Sequence, residues 1–203
     1  MKAAAVPRSA ASARKRLSEV IDAAAKVFAR RGYHGASTQD IADVLGIRQA
    51  SLYYYFESKE AALEAVCASG VEDYATRAQR ILKSAESASE KVARLVFHHL
   101  APMEERLDFT VVFLRERRFL PQPARKRIRA IERRYERVIQ TIIELGVLSR
   151  EFRADLDTRL ATLALLGLGN SAALWFGREP GLSLDRITQS YVDLLVRAFR
   201  TTH

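Results

Sequence analysis

The stretch from Gly35 to Leu63, GASTQDIADVLGIRQASLYYYFESKEAAL, limits what this chain can fold into more than any other. Ser37 or Thr38 can cap a helix there, because a side-chain oxygen accepts from the free N–H groups of a first turn. Ser37 and Asp40 have the spacing of a capping box, with Asp in place of the longer Glu or Gln. Ile41, Ala42 and Leu45 then fall on one face. Gly46 suits the left-handed conformation that closes a helix. Arg48, Gln49 and Ala50 open a second helix, whose buried side is Leu52, Tyr55 and Phe56, and Ser58 can cap a third. Two short helices around a glycine turn make a helix-turn-helix, the second helix of which enters the DNA major groove.

These residues resemble the DNA-binding signature of TetR-family transcriptional regulators. The resemblance is carried by Ser37-Thr38 through Ile41-Ala42, Gly46-Ile47, Ser51-Leu52-Tyr53-Tyr54-Tyr55-Phe56 and Ser58-Lys59-Glu60-Ala61, and runs from about Arg14 to Tyr74. Tyr55 stands where the family often has His, on the side expected to face the core. Beyond Tyr74 the likeness is one of architecture. It implies a homodimer that binds a double-stranded, palindromic operator, represses by blocking polymerase, and lets go when a small hydrophobic molecule binds among the C-terminal helices.

The rest of the chain reads as all-α, with nine helices and no alternating strand pattern or repeat. Residues 1–12 are expected to be a flexible basic arm, 13–57 the helix-turn-helix domain with its motif at 37–56, and 58–203 a helical domain for ligand binding and dimerisation. The first helix spans 12–31 and ends at Gly32. A fourth runs from 58 to 84 and a fifth from 87 to 100, before Pro102. Then come helices at 104–120, stopped by Pro121 and Pro123, and at 124–145, followed by Gly146. The eighth, 156–176, is apolar almost all round, and the ninth, 183–200, is capped by Ser183. A helix apolar on every side must be covered, either within one subunit or by a symmetry mate. Leu163, Leu166, Asn170 and Leu174 of the eighth helix, with Tyr191, Leu195 and Phe199 of the ninth, are the expected dimer interface.

Charge supports a polyanionic partner. The net charge is +9 over 203 residues. Residues 1–56 hold nine Lys/Arg and four Asp/Glu, so charge density is higher over the DNA-reading part. Cys67 is the only cysteine, which excludes an internal disulfide and fits the cytoplasm. It is expected to be a small buried residue, with a redox sensor as the alternative. Met1 to Arg16 lacks the apolar core of a signal peptide. Leu160 to Phe176 is short for a membrane span and contains Thr162, Asn170 and Ser171, so a buried helix is expected instead. No enzyme is expected. His34, His98, His99 and His203 form no catalytic or metal-binding set, and Gly167 and Gly169 sit within an apolar helix rather than a phosphate loop. No cofactor or metal is implied.

On DNA, Arg48 can pair with guanine or with a phosphate, and Gln49 with adenine. Ser51, Tyr53 and Tyr54, beside Ala50, can meet a thymine methyl or a phosphate. Thr38 and Lys59, at helix N-termini, can hold backbone phosphates, as can His34. The resemblance favours phosphate for Tyr54 and Lys59. The plainer alternatives are a cap for Thr38, a solvated side chain for Lys59 and a core position for one tyrosine. Tyr74, Phe97, Phe109, Phe113, Tyr135, Leu166 and Trp175 can line an apolar effector cavity or simply fill the core. Arg115 to Arg137 holds ten Lys/Arg and three Glu. That run is either a solvated face or the mouth of a site for an anionic ligand such as an acyl-CoA. The runs Phe152-Arg153-Ala154-Asp155-Leu156-Asp157, Trp175-Phe176 and Gly181-Leu182-Ser183 also resemble TetR-type regulators of fatty-acid and sterol breakdown. A regulator controlled by a partner protein, without a small ligand, is the alternative.

Overall fold

Ser37, Ser58, Ser87, Asp157 and Ser183 each accept a backbone N–H three residues on, and each starts a helix. The computed structural model describes residues 10–200. Within them lie nine helices: α1 Ala10–Gly35, α2 Thr38–Leu45, α3 Gln49–Leu52, α4 Lys59–Leu82, α5 Ala88–Leu100, α6 Leu107–Glu116, α7 Gln122–Leu148, α8 Thr158–Trp175 and α9 Leu184–Phe199. One further helical turn, Pro102–Glu105, and a 3-10 turn, Arg117–Phe119, flank α6. A single antiparallel bridge joins Phe152 to Arg200. Of the arm expected at 1–12, residues 1–9 lie outside the described residues, and Ala10 already belongs to α1.

The capping box at Ser37 is reciprocal: the Ser37 hydroxyl accepts from Asp40 N–H, and the Asp40 carboxylate accepts from Ser37 N–H at 2.8 Å. Those two bonds from Ser37, and then Arg31, hold the Asp40 carboxyl below the usual carboxylate range. Gly46 closes α2 at φ 64, ψ 32, the left-handed region where a Cβ is costly. Gly32 kinks α1 at φ 67, so its last turn leaves the axis of the rest.

Helix α1 runs on to Gly35 past the expected end at 31, the helix expected at 104–120 is Leu107–Glu116 between two separate turns, and both limits of α7 differ from the sequence expectation for one reason each. Pro123 lies inside the first turn of α7 rather than before it, because the missing N–H belongs to a group with no intrahelical partner anyway. Gly146 lies inside α7 rather than after it. Its bare Cα admits the Phe152 ring, and a Cβ there would also stand 2.8 Å from the Cβ of Ala88.

Two apolar clusters hold the subunit together. One joins α1, α2, α3 and the first half of α4 to Phe109, Val112, Leu120, Ala124 and Ile128. The other joins the second half of α4 to α5, α7, α8 and α9. Helices α4 and α7 run through both and so link the helix-turn-helix to the far end. Phe28, Leu63 and Ile142 are fully buried, each stabilising the fold by about 1.5–3 kcal/mol. Cys67 is also fully buried, and burial pushes its thiol up to about 12, which fits packing and not redox chemistry. Among the described residues no helix is long and apolar enough to cross a membrane.

Helix α8 is not covered on every side within the subunit. Leu160, Leu163 and Leu174 remain 62 %, 43 % and 42 % exposed, and Leu194 of α9 is 56 % exposed. Leu195 and Phe199, expected at a dimer interface, are instead buried within the subunit. Phe199 packs edge-on against Phe152 at 5.6 Å. The apolar face of α9 is turned toward α5 and α8, so the spacing that marks it as apolar marks the inner side.

Candidate DNA interface and ligand cavity

The two helices of the motif are tied together by a side-chain bond. Gln49 Nε2 donates to Thr38 Oγ1 at 2.7 Å. Gln49, expected to read adenine, therefore presents an amide already committed across the motif, and Thr38 serves as its acceptor while Ser37 is the cap. Arg48 precedes α3 in an extended conformation and is exposed, as are Ala50 and Ser51. Tyr53 is 49 % and Tyr54 86 % exposed, and Tyr54 meets Tyr55 edge-on at 5.1 Å. Arg48, Ala50, Ser51, Tyr53 and Tyr54 thus share the open side of the motif.

Lys59 lies elsewhere. Its Nζ donates to the carbonyls of Tyr33 at 2.9 Å and Ala36 at 3.0 Å, and sits 4.4 Å from the centre of the Tyr33 ring. The ammonium satisfies carbonyls left open where α1 ends, the favourable end of the helix for a cation. The phosphate contact expected of Lys59 thus stands beside an internal role that engages two of its three N–H groups.

The same corner fastens the motif to the C-terminal helices. Tyr33 N–H donates to Glu116 Oε2 at 2.8 Å, its hydroxyl donates to Glu60, and its ring stacks on Phe119 at 5.4 Å. Burial, and then Glu60, push the Tyr33 hydroxyl up to about 12. His34, expected at phosphate, is exposed but sets its ring edge-on to Phe119 at 4.4 Å.

A cavity of about 310 Å³ lies among α4, α5, α6, α7 and α8. Val71, Tyr74, Phe109, Phe113, Tyr135 and Leu166 give it apolar walls, with Leu163 and Asn170 from α8. Arg106, Arg117, Arg129 and Glu132 also line it. Arg117 pairs with Glu132 and lies over the Phe113 ring, while Arg129 reaches Glu132 at 3.2 Å and Glu136 at 3.4 Å. An open groove of about 330 Å³ shares Arg117, Arg129 and Glu132 with the cavity and adds Arg118 and Arg125. Four members of the basic run, Arg117, Arg118, Arg125 and Arg129, thus surround two adjoining spaces. Others form ordinary ion pairs, such as Arg127 with Glu64 at 2.6 Å.

Two of the expected lining residues are not there. Phe97 is 50 % exposed on α5, beside His98, and Trp175 packs against the larger apolar cluster at the end of α8. Leu166 and Asn170, expected at a dimer interface, face the cavity instead. His99 was hidden from sequence reasoning by its neighbour His98. It is buried, with Nδ1 3.0 Å from the Tyr135 hydroxyl and Nε2 3.2 Å from Asn170 Oδ1. The one signal was Gly169, where a Cβ would lie 2.7 Å from Nε2 of that imidazole.

Burial lowers the His99 pKa from 6.5 to about 4. As pH falls, the unfolded chain takes up this proton first, so the contribution of neutral His99 is complete above pH 6.5 and gone near pH 4. It amounts to about 3 kcal/mol. His99→Gln should therefore lose less stability than the wild-type chain between pH 6.5 and 4 in thermal unfolding. Parallel curves for the two proteins would refute a neutral buried imidazole.

Both ends of the chain match known families. Residues 20–66 match the family model described as bacterial regulatory proteins, tetR family, and residues 85–199 match the tetracyclin repressor-like C-terminal domain. The fatty acid metabolism regulator protein of Bacillus subtilis (strain 168) is 27 % identical over 184 residues, 90 % of this chain and 95 % of that protein. The HTH-type transcriptional repressor KstR2 of Mycolicibacterium smegmatis is 29 % identical over 182 residues, 89 % of each chain. The crystal structure of the transcriptional regulator FadR from Bacillus subtilis in complex with stearoyl-CoA superposes with a TM-score of 0.76 at 26 % identity, covering 90 % of this chain and 99 % of that one.

Proposed function

The chain belongs to the TetR family of bacterial transcriptional regulators, and on that premise we propose that it is a repressor released from its operator by an acyl-CoA thioester. The observation that carries the effector is the join of two spaces: a cavity with apolar walls, and a groove edged by Arg117, Arg118, Arg125 and Arg129. An acyl group suits the first and the phosphates of coenzyme A suit the second, since guanidinium forks match phosphate oxygens. The Bacillus subtilis relative named for fatty acid metabolism, and the Bacillus subtilis FadR structure in complex with stearoyl-CoA, support the same class.

The protein works in the cytoplasm as a homodimer and needs no catalytic residue. Leu160, Leu163 and Leu174 of α8 and Leu194 of α9 meet their counterparts in a second copy, which covers the apolar surface one subunit leaves open. Two copies of the Arg48 to Tyr54 surface then face two half-sites. Arg48 and Ser51 read bases, and Tyr53 and Tyr54 hold phosphates. Release follows from chain continuity. Phosphates that draw Arg117 from Glu132 move the 3-10 turn that follows Glu116 and carries Phe119, and these two residues hold Tyr33 and His34.

Calorimetry with decanoyl-CoA, coenzyme A and decanoate, with operator binding followed in parallel, tests this reading. Decanoyl-CoA should bind more tightly than either part and dissociate the DNA. Absence of heat together with undiminished DNA binding would defeat it, and would favour control by a partner protein.

A further inference from the structure

The cavity wall contains a polar device that a wholly aliphatic ligand would leave idle. His99, Tyr135 and Asn170 come from three helices, α5, α7 and α8, and all line the cavity. Burial keeps the imidazole neutral, so one ring nitrogen donates and the other accepts. Asn170 Oδ1 faces Nε2, which makes Nε2–H the donor and leaves Nδ1 to accept from the Tyr135 hydroxyl. The amide oxygen of Asn170 is thereby engaged, and its NH2 group has no protein acceptor among the described residues. Two N–H donors thus stand in a wall whose other members include Val71, Phe109 and Phe113.

The arrangement is enforced by the backbone. Gly169 sits in the interior of α8, where glycine is about 1 kcal/mol worse than alanine. Any Cβ there would collide with the His99 ring. Glycine at 169 is what lets the imidazole lie against α8, within reach of the next side chain, Asn170. Chain and packing both serve to aim one amide.

We propose that the Asn170 amide is a receptor for a carbonyl oxygen of the effector, oriented by His99 and, through it, by Tyr135. The proposal rests on reading the cavity as a thioester site. The oxygen comes either from the thioester carbonyl or from an oxo group further along the acyl body. A carbonyl accepts well from an amide N–H, and a ligand that displaces water from this donor without replacing its hydrogen bond is penalised.

Three probes separate the possibilities: decanoyl-CoA, its thioether S-decyl-CoA, and 9-oxodecanoyl-CoA. Dissociation constants are measured by calorimetry for the wild-type protein, Asn170→Leu and Asn170→Asp, the last being of like size with no donor. With the thioester carbonyl as the source, decanoyl-CoA should bind the wild type about tenfold more tightly than S-decyl-CoA. With the chain oxygen as the source, the gap should fall between 9-oxodecanoyl-CoA and decanoyl-CoA. Either gap should close in both variants. A wild type indifferent to all three probes, or a gap that survives in both variants, overturns the proposal while leaving the thioester reading intact. Failure of every probe to bind the wild type overturns both.

Discussion

Lys59→Met is expected to weaken operator binding at least tenfold without altering its dependence on salt. The ammonium closes two carbonyls, of Tyr33 and Ala36, between the end of α1 and the start of α2. Methionine keeps the aliphatic stem and removes both bonds. Hydrogen bonds to a charged donor contribute about 1.5–3 kcal/mol each when shielded; partial exposure brings the expected loss for the pair to about 2 kcal/mol. That loss falls on the link that sets how α2 and α3 lie against α4. A phosphate contact has a different signature, since each one lost lowers the salt slope by about one. Fluorescence anisotropy with an operator selected from random DNA, run over a range of salt, separates the two. A reduced slope with no loss of thermal stability would return Lys59 to the DNA backbone.

Gly146→Ala should lower Tm by up to about 10 °C, although alanine is the better helix former by about 1 kcal/mol. The added methyl would stand 2.8 Å from the Ala88 Cβ and closer still to the Phe152 ring. Phe152 cannot withdraw easily. It is 1 % exposed, packs on Phe199, and its N–H donates to Gly146 carbonyl oxygen at 2.9 Å. Overpacking of this kind costs about 1–3 kcal/mol, and each kcal/mol moves Tm by about 2–4 °C in a chain of this size. Scanning calorimetry decides by sign. A rise in Tm would mean that the ring moves aside and that propensity governs the site.

The residues named in these two substitutions mark the limit of what sequence reading reaches. Ser37, Asp40, Gly46 and Ser58 are legible because their partners lie within four residues, where helix geometry leaves no choice. Lys59 is a first-turn residue of α4 by the same rules, and those rules leave its ammonium free. Its partners, Tyr33 and Ala36, lie across the motif and are found only when α1 and α4 cross. Gln49 shows the same thing over eleven residues, since it bonds Thr38 and not the open groove side.

Apolar spacing behaves similarly. It identifies Leu195 and Phe199 as one face of α9 but does not say what meets that face. Packing turned it inward and left Leu194 outside. On α8, Leu166 and Asn170 face the cavity while Leu160 and Leu174 stay exposed, a division invisible in a helix that is apolar almost everywhere.

By itself, then, the sequence determined the helices, their caps, the motif and the family, because each depends on near neighbours or on a pattern of fixed spacing. The tertiary structure alone decided that Lys59 closes α1, that Gly146 and Gly169 make room for rings, and that His99, Tyr135 and Asn170 meet in one wall. Those residues are brought together by the crossing of helices far apart in the chain, and a helix's periodicity specifies which side is buried without specifying its neighbour.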